Sequence, residues 1–171
     1  MEEEPYGIQK EHAHKRAIEL VPEEFFWDCV DELAPFGSDE GDMALSEYRR
    51  WRENHPNSPI YDCMKWVIED VGEMKIDAYN KKLLDRKLIS SYIKGEFFEH
   101  DLFTLDISVI ATGFGQLVDE GKIDKQIKPL IQIAITRQKI WSDLAATLED
   151  WDHSEEYINN LNILERVLRE A

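Results

Sequence analysis

Leu102-Phe103-Thr104-Leu105-Asp106-Ile107-Ser108-Val109-Ile110-Ala111-Thr112-Gly113-Phe114-Gly115-Gln116-Leu117-Val118 is the stretch on which the fold turns. Ile107, Ile110, Ala111, Phe114, Leu117 and Val118 recur three and four residues apart, the spacing of one face of an α-helix. Gly113 and Gly115 sit inside that face. Each costs about 1 kcal/mol relative to alanine in a helix interior, and each gives a neighbouring helix room to come close. Gly121 is a natural stop. Asp124 is a candidate cap for the next helix, and Pro129 either restarts or kinks it. A second amphipathic face then runs through Ile127, Leu130, Ile131, Ala134, Gln138, Trp141, Ala145 and Leu148. Trp151-Asp152-His153-Ser154 breaks it, and Tyr157, Leu161, Leu164 and Val167 or Leu168 mark a last helix. No alternating segment in this half argues for a sheet.

The first half reads the same way with more interruptions. A short helix is predicted from Glu11 to Leu20, ended by Pro22. Ser38 or Asp39 can cap a helix that runs to about Arg52, with Asp42 in its first turn and Arg49, Arg50 and Arg52 near its end, as the helix dipole favours. His55-Pro56-Asn57-Ser58-Pro59 is a loop, and Pro59 suits a first helical turn. Cys63, Val67, Val71 and Met74 recur at helical spacing behind it, and Gly72 weakens the end of that helix or marks it. Another is predicted from Asp77 to Ile93, with Leu84 and Leu88 on one face and Gly95 closing it. The expectation is an all-α fold of six or seven helices in one compact domain spanning 11–171, behind a flexible acidic tail of residues 1–10.

One segment does not fit a helical pattern. Between Ala17 and Tyr48 there are ten carboxylates and no lysine or arginine. Within it, Phe25-Phe26-Trp27-Asp28-Cys29-Val30-Asp31-Glu32-Leu33-Ala34-Pro35-Phe36-Gly37-Ser38-Asp39-Glu40-Gly41-Asp42 interleaves aromatic rings, acids and turn residues. Repulsion at that density costs stability unless caps, cations or a partner offset it. Phe25, Phe26 and Trp27 read as a short extended segment, and Pro35, Gly37 and Gly41 as turns. Trp27, Asp28, Asp31, Glu32, Phe36 and Asp39 are the candidate ligand-binding residues. Oxygens from several acids on irregular backbone suit a hard divalent cation, although the spacing is not that of an EF-hand. An aromatic pocket beside carboxylates suits a cationic group. The plainer reading is that the rings anchor a loop and the acids cap and solvate it.

With 171 residues the chain is long enough for one core without disulfides. Its formal charge of −16 and pI near 4.6 argue against binding nucleic acid or anionic lipid through a broad basic face. Cys29 and Cys63 form no CxxC pair. No HExxH, GxGxxG or P-loop occurs, and His12, His14, His55, His100 and His153 fall into no catalytic spacing. Lys81, Lys82, Arg86 and Lys87 form a basic patch that can answer the acidic run within the chain or in a dimer. Met1-Glu2-Glu3-Glu4 is the opposite of a signal peptide's basic start, no apolar run reads as membrane-spanning, and a cytoplasmic location is expected.

The run from Trp27-Asp28 through Asp31-Glu32-Leu33-Ala34-Pro35-Phe36-Gly37-Ser38-Asp39-Glu40-Gly41, together with Ala111-Thr112-Gly113-Phe114-Gly115-Gln116-Leu117, resembles the bacterial YfeS-like proteins. These are loosely associated with the molybdate metabolism regulator (MolR) group. The resemblance covers most of the chain and implies a regulatory role without an activity to carry over. Members of that group can hold a WGR module, and no Trp-Gly-Arg occurs here, which weakens any link to nucleic acid. Three expectations arise. The first is a non-enzymatic binding or regulatory domain whose acidic-aromatic segment meets a basic protein or small cationic ligand. The second is a metal-dependent enzyme using carboxylates between Asp28 and Asp42. The third gives that segment a purely structural role.

Overall fold

The computed structural model describes residues 7–95 and 99–171. Among the described residues there are seven α-helices and no strand, as the apolar spacing predicts. They are α1 (Lys15–Leu20), α2 (Asp39–Asn54), α3 (Ile60–Val71), α4 (Arg86–Ile93), α5 (Glu99–Glu120), α6 (Lys128–Leu148) and α7 (Ser154–Glu170).

Helix α5 is the axis of the molecule. From Leu105 to Val118 every residue is buried, polar ones included. Its window Leu102–Glu120 has a mean hydropathy of 1.3, long and apolar enough to cross a membrane, yet 83% of that window is buried inside the protein. A stripe apolar all round is what a fully enclosed core helix requires. The two glycines explain how it is enclosed. A Cβ on Gly115 would stand 3.1 Å from Leu45 and 3.3 Å from Tyr48 of α2. One on Gly113 would stand 2.2 Å from Ile131 of α6. Two residues apart on a helix point to nearly opposite sides, so the pair seats a helix on each flank and offsets its propensity cost.

Contacts give the helix directions. Asp106 meets Arg137 and Gly113 meets Ile131, so α5 and α6 run antiparallel. Ser142 meets Ser154, Gln138 meets Tyr157 and Gln132 meets Glu165, so α6 and α7 do too. Leu45 meets Gly115 while Arg49 meets Asp119, which sets α2 parallel to α5. Helix α3 also packs on α5, and α4 lies against α6.

Several local expectations change in the folded chain. The helix predicted from Asp77 to Ile93 is three pieces: 3₁₀ turns at Ile76–Ala78 and Lys81–Leu84, then α4. Asn80 caps the second turn through Lys82 N–H, and Asp85 caps α4 through the N–H groups of Lys87 and Leu88. These side chains offer the backbone hydrogen bonds that compete with a continuous helix. Pro129 sits in the first turn of α6, which starts after Ile127 without a side-chain cap, so Asp124 does not cap it. Phe25, Phe26 and Trp27 lie in a 3₁₀ turn, Glu24–Trp27, rather than an extended segment. The packed chain also begins earlier than residue 11: Ile8 is buried at 5% exposure. Of the predicted acidic tail, residues 1–6 lie outside the described residues.

Candidate functional site

The acidic-aromatic segment is a closed loop pinned to the core by its rings. Phe26 and Phe36 are fully buried. Phe26 stands edge-on to Trp27, Phe36 and Phe114 at centroid separations of 4.9, 5.5 and 5.9 Å. Such T-shaped contacts add about 0.5–1.5 kcal/mol each beyond burial. The Trp27 indole N–H donates to the Val21 carbonyl at 2.9 Å. The Lys10 ammonium lies 5.9 Å from the Trp27 ring centroid. On the far side the loop meets α7, where Asn160 donates to the Leu33 carbonyl and Arg166 pairs with Glu23 at 2.6 Å. That hydrogen-bonded pair holds the Glu23 carboxyl below its ordinary range and raises Arg166.

The acids shape the backbone. Asp28 Oδ1 accepts from Val30 and Asp31 N–H at 2.8 and 3.1 Å, and Asp31 Oδ1 accepts from Leu33 N–H at 2.9 Å. Both are Asx turns. Ser38, not Asp39, is the cap of α2: its hydroxyl accepts from Gly41 N–H at 3.1 Å, and Asp39 sits exposed in the first turn. Two glycines close the loop. A Cβ on Gly37 would fall 1.9 Å from the Asp31 carbonyl oxygen, and one on Gly41 would fall 2.0 Å from that of Pro35. At the crest, Val30 is 78% exposed beside exposed Cys29 and near exposed Glu32.

The six predicted site residues therefore divide. Trp27 and Phe36 serve as anchors, Asp28 and Asp31 shape the loop and each keeps its second oxygen, and Glu32 and Asp39 face solvent. The metal reading required three carboxylates converging on one point. Among the described residues no three of His, Cys, Asp and Glu do so.

A denser polar constellation was not anticipated, and it lies in the core. Asp106 on α5 is fully buried and Arg137 on α6 is 2% exposed. Arg137 Nη2 donates to Asp106 Oδ1 at 2.7 Å and its Nε to Oδ2 at 2.8 Å, a bidentate fork. Tyr79 donates to Oδ1 at 2.6 Å and Gln138 to Oδ2 at 2.9 Å. Tyr157 on α7 completes the chain by donating to Gln138 Oε1 at 2.7 Å. The guanidinium also lies 5.5 Å from the Tyr79 ring centroid. Burial, and then the Asp106 charge, push the Tyr79 and Tyr157 hydroxyls well above the usual range. Burial alone would lower Arg137, but the charge and hydrogen bonds of Asp106 outweigh it and the guanidinium is held protonated. A helical spacing of apolar residues cannot announce this network. Asp106, Arg137 and Gln138 sit within otherwise apolar stripes, and that intrusion is the signal that could have found them.

A second cluster ties α2 to the end of α5. The Tyr48 hydroxyl donates to Glu120, Arg52 pairs with Glu120 at 3.3 Å, and Arg49 grips Asp119 through Nε and Nη2 at 2.9 and 3.0 Å. Arg52 also donates to the Ser58 carbonyl at 2.6 Å, which fixes the loop before α3. Burial, reinforced by Glu120, raises the Tyr48 hydroxyl above its ordinary range. Two shallow depressions lie elsewhere on the surface. One is lined by Asp152, Glu155, Glu156, Ile158, Asn159 and Asn162, the other by Asp62, Lys65, Trp66, Glu69 and Asp70.

Fold and site together define an acidic, all-helical domain with a buried hydrogen-bonded network around Asp106 and an acidic-aromatic surface loop. The chain is similar to the uncharacterised protein YfeS of Escherichia coli strain K12, at 24% identity over 157 residues. That match covers 91% of this chain and 60% of the relative, and it supports a YfeS-like family. The chain thus spans less than two thirds of the length of the curated relative it matches. No protein-family model matches it, and no solved structure does.

Proposed function

We propose that this chain is a non-enzymatic cytoplasmic binding domain that presents the 28–42 loop to a basic protein partner. The observation that carries the reading is the crest of the loop. Val30 stands 78% exposed among Asp28, Asp31 and Glu32, which form no ion pair among the described residues. Two Asx turns and two glycine closures already hold this surface in one shape. A preorganised loop loses little entropy when it binds, and an apolar centre rimmed by charge is the anatomy of a docking surface. The net charge of −16 supports attraction of a cationic partner and disfavours nucleic acid. The unpaired cysteines suit a reducing compartment. A regulatory role of the kind the MolR resemblance implies is one form of this reading, exercised by occupying or releasing that partner.

The test is capture from a native cytosolic extract on the immobilised protein at low and moderate salt, against Asp28→Asn/Asp31→Asn/Glu32→Gln. The asparagines keep the turn-forming oxygens and remove only charge. A partner retained by the parent at low salt, and lost by the variant, is expected. No capture at low salt, or capture that the variant leaves unchanged, removes the proposal's basis.

A further inference from the structure

The charges of this chain are segregated. Of the ten acids between Ala17 and Tyr48, Glu19 pairs with Lys15 and Glu23 with Arg166; the other eight form no ion pair among the described residues. The reverse holds between Lys75 and Lys94. There, Lys75, Lys81, Lys82, Arg86, Lys87 and Lys94 face two acids, Asp77 and Asp85. All six cations are exposed. Arg86 pairs with Asp143 at 2.8 Å, and the five lysines form no ion pair among the described residues. Lys87 lies in the first turn of α4 and Lys94 is the residue that ends it.

The fold keeps the two sets apart. The Lys81–Leu84 turn and α4 pack on α6, whereas the acidic loop packs on α5 and α7 and leads into α2, which packs on α5. Among the described residues no ion pair joins these lysines to the loop carboxylates of the same chain. We infer that the lysine face of one molecule docks the 28–42 loop of a second copy. This rests on the loop being a docking element, and it names a partner for it. A single contact of this kind is head-to-tail and builds a ring or an open chain, whereas two of them related by a two-fold axis close a dimer.

Two copies of net charge −16 also repel each other, and salt decides which effect wins. At 0.1 M the Debye length is about 10 Å, short compared with the molecule but long compared with an ion pair. Local contacts then survive while net repulsion is screened. At 0.01 M the length is about 30 Å and repulsion returns. At high salt the contacts themselves fade.

Sedimentation velocity of the full chain over a concentration series at low, intermediate and high salt tests this. The expected result is association that is greatest at about 0.1 M, falls on either side, and grows with concentration. Lys81→Glu/Lys82→Glu/Lys87→Glu should weaken it by about tenfold or more, as should Asp28→Asn/Asp31→Asn/Glu32→Gln, with circular dichroism and melting unchanged. A chain that stays monomeric at every salt overturns the inference. So does association that the lysine variant leaves intact, or binding of a single-stranded oligonucleotide or phosphatidylserine vesicles by the lysine face in place of self-association. If the loop still captures a basic protein from extract while the chain stays monomeric, the binding-domain reading stands and only this partner falls.

Discussion

Arg137→Met leaves the Asp106 carboxylate at 0% exposure without its cation. Methionine nearly matches the arginine stem in length, so the change removes charge and hydrogen bonds more than volume. Three of the hydrogen-bond contacts to Asp106 come from this one guanidinium, at 2.7, 2.8 and 3.1 Å. Tyr79 and Gln138 still donate, but neither neutralises the charge. Removing one partner of a buried pair costs about 3–5 kcal/mol, a large share of the roughly 5–15 kcal/mol that holds a domain together. At about 2–4 °C per kcal/mol for a chain of this length, the melting temperature should fall by about 6–20 °C. Urea unfolding followed by far-UV circular dichroism measures the loss. Asp106→Leu combined with Arg137→Met removes both charges and leaves the Tyr79 hydroxyl and Gln138 amide each short of a partner, at about 1–3 kcal/mol apiece. The double variant should therefore cost less than the sum of its singles by about 0.5–3 kcal/mol. A loss below about 1 kcal/mol for Arg137→Met, or strict additivity in the cycle, would refute the claim that these groups act as one buried network.

Three further outcomes can be measured directly. Ser38→Ala should cost about 0.5–2 kcal/mol as a lost cap, and Asp39→Ala only about 0.3–1 kcal/mol through the helix dipole; equal losses in urea unfolding would mean the cap is misassigned. Cys29 is exposed, whereas burial pushes the Cys63 thiol up to about 12, so a thiol reagent near pH 8 should label one cysteine in the native protein and the second only on unfolding. Glu23, hydrogen-bonded to Arg166, and Glu165, hydrogen-bonded to Gln132 and Lys139, both have carboxyls lowered by folding. A depressed carboxyl contributes stability that is present above its unfolded pKa and lost as pH falls through the folded one. Glu23→Gln/Glu165→Gln should therefore flatten the acid limb of the stability curve below about pH 4.5, and an acid limb identical to the parent's would contradict that assignment.

The helices were legible because burial on one face imposes a spacing that local residues carry by themselves. Ile107, Ile110, Phe114 and Leu117 announce α5, and Tyr157, Leu161 and Leu164 announce α7. The division of 76–93 was less legible, because Asn80 and Asp85 read equally well as polar helix-surface residues. Only their hydrogen bonds to Lys82, Lys87 and Leu88 show them acting as caps. For the candidate loop, composition marked the segment and its aromatic anchors. It could not say which carboxylate oxygens turn inward to backbone N–H groups, since that depends on how Gly37 and Gly41 close against Asp31 and Pro35.

The sequence by itself determined an all-helical chain, an excess of acid and the apolar stretches that carry most of its helices, because spacing and charge are properties of neighbours along the chain. Tertiary structure alone decided that Gly113 and Gly115 seat helices on opposite flanks of α5. It alone brought Asp106, Arg137, Tyr79, Gln138 and Tyr157 together, and it alone left the lysines between Lys75 and Lys94 without an ion pair to the acids of the loop. Each of these depends on which residues far apart in the chain come within a few ångströms, and that is set by how the helices pack.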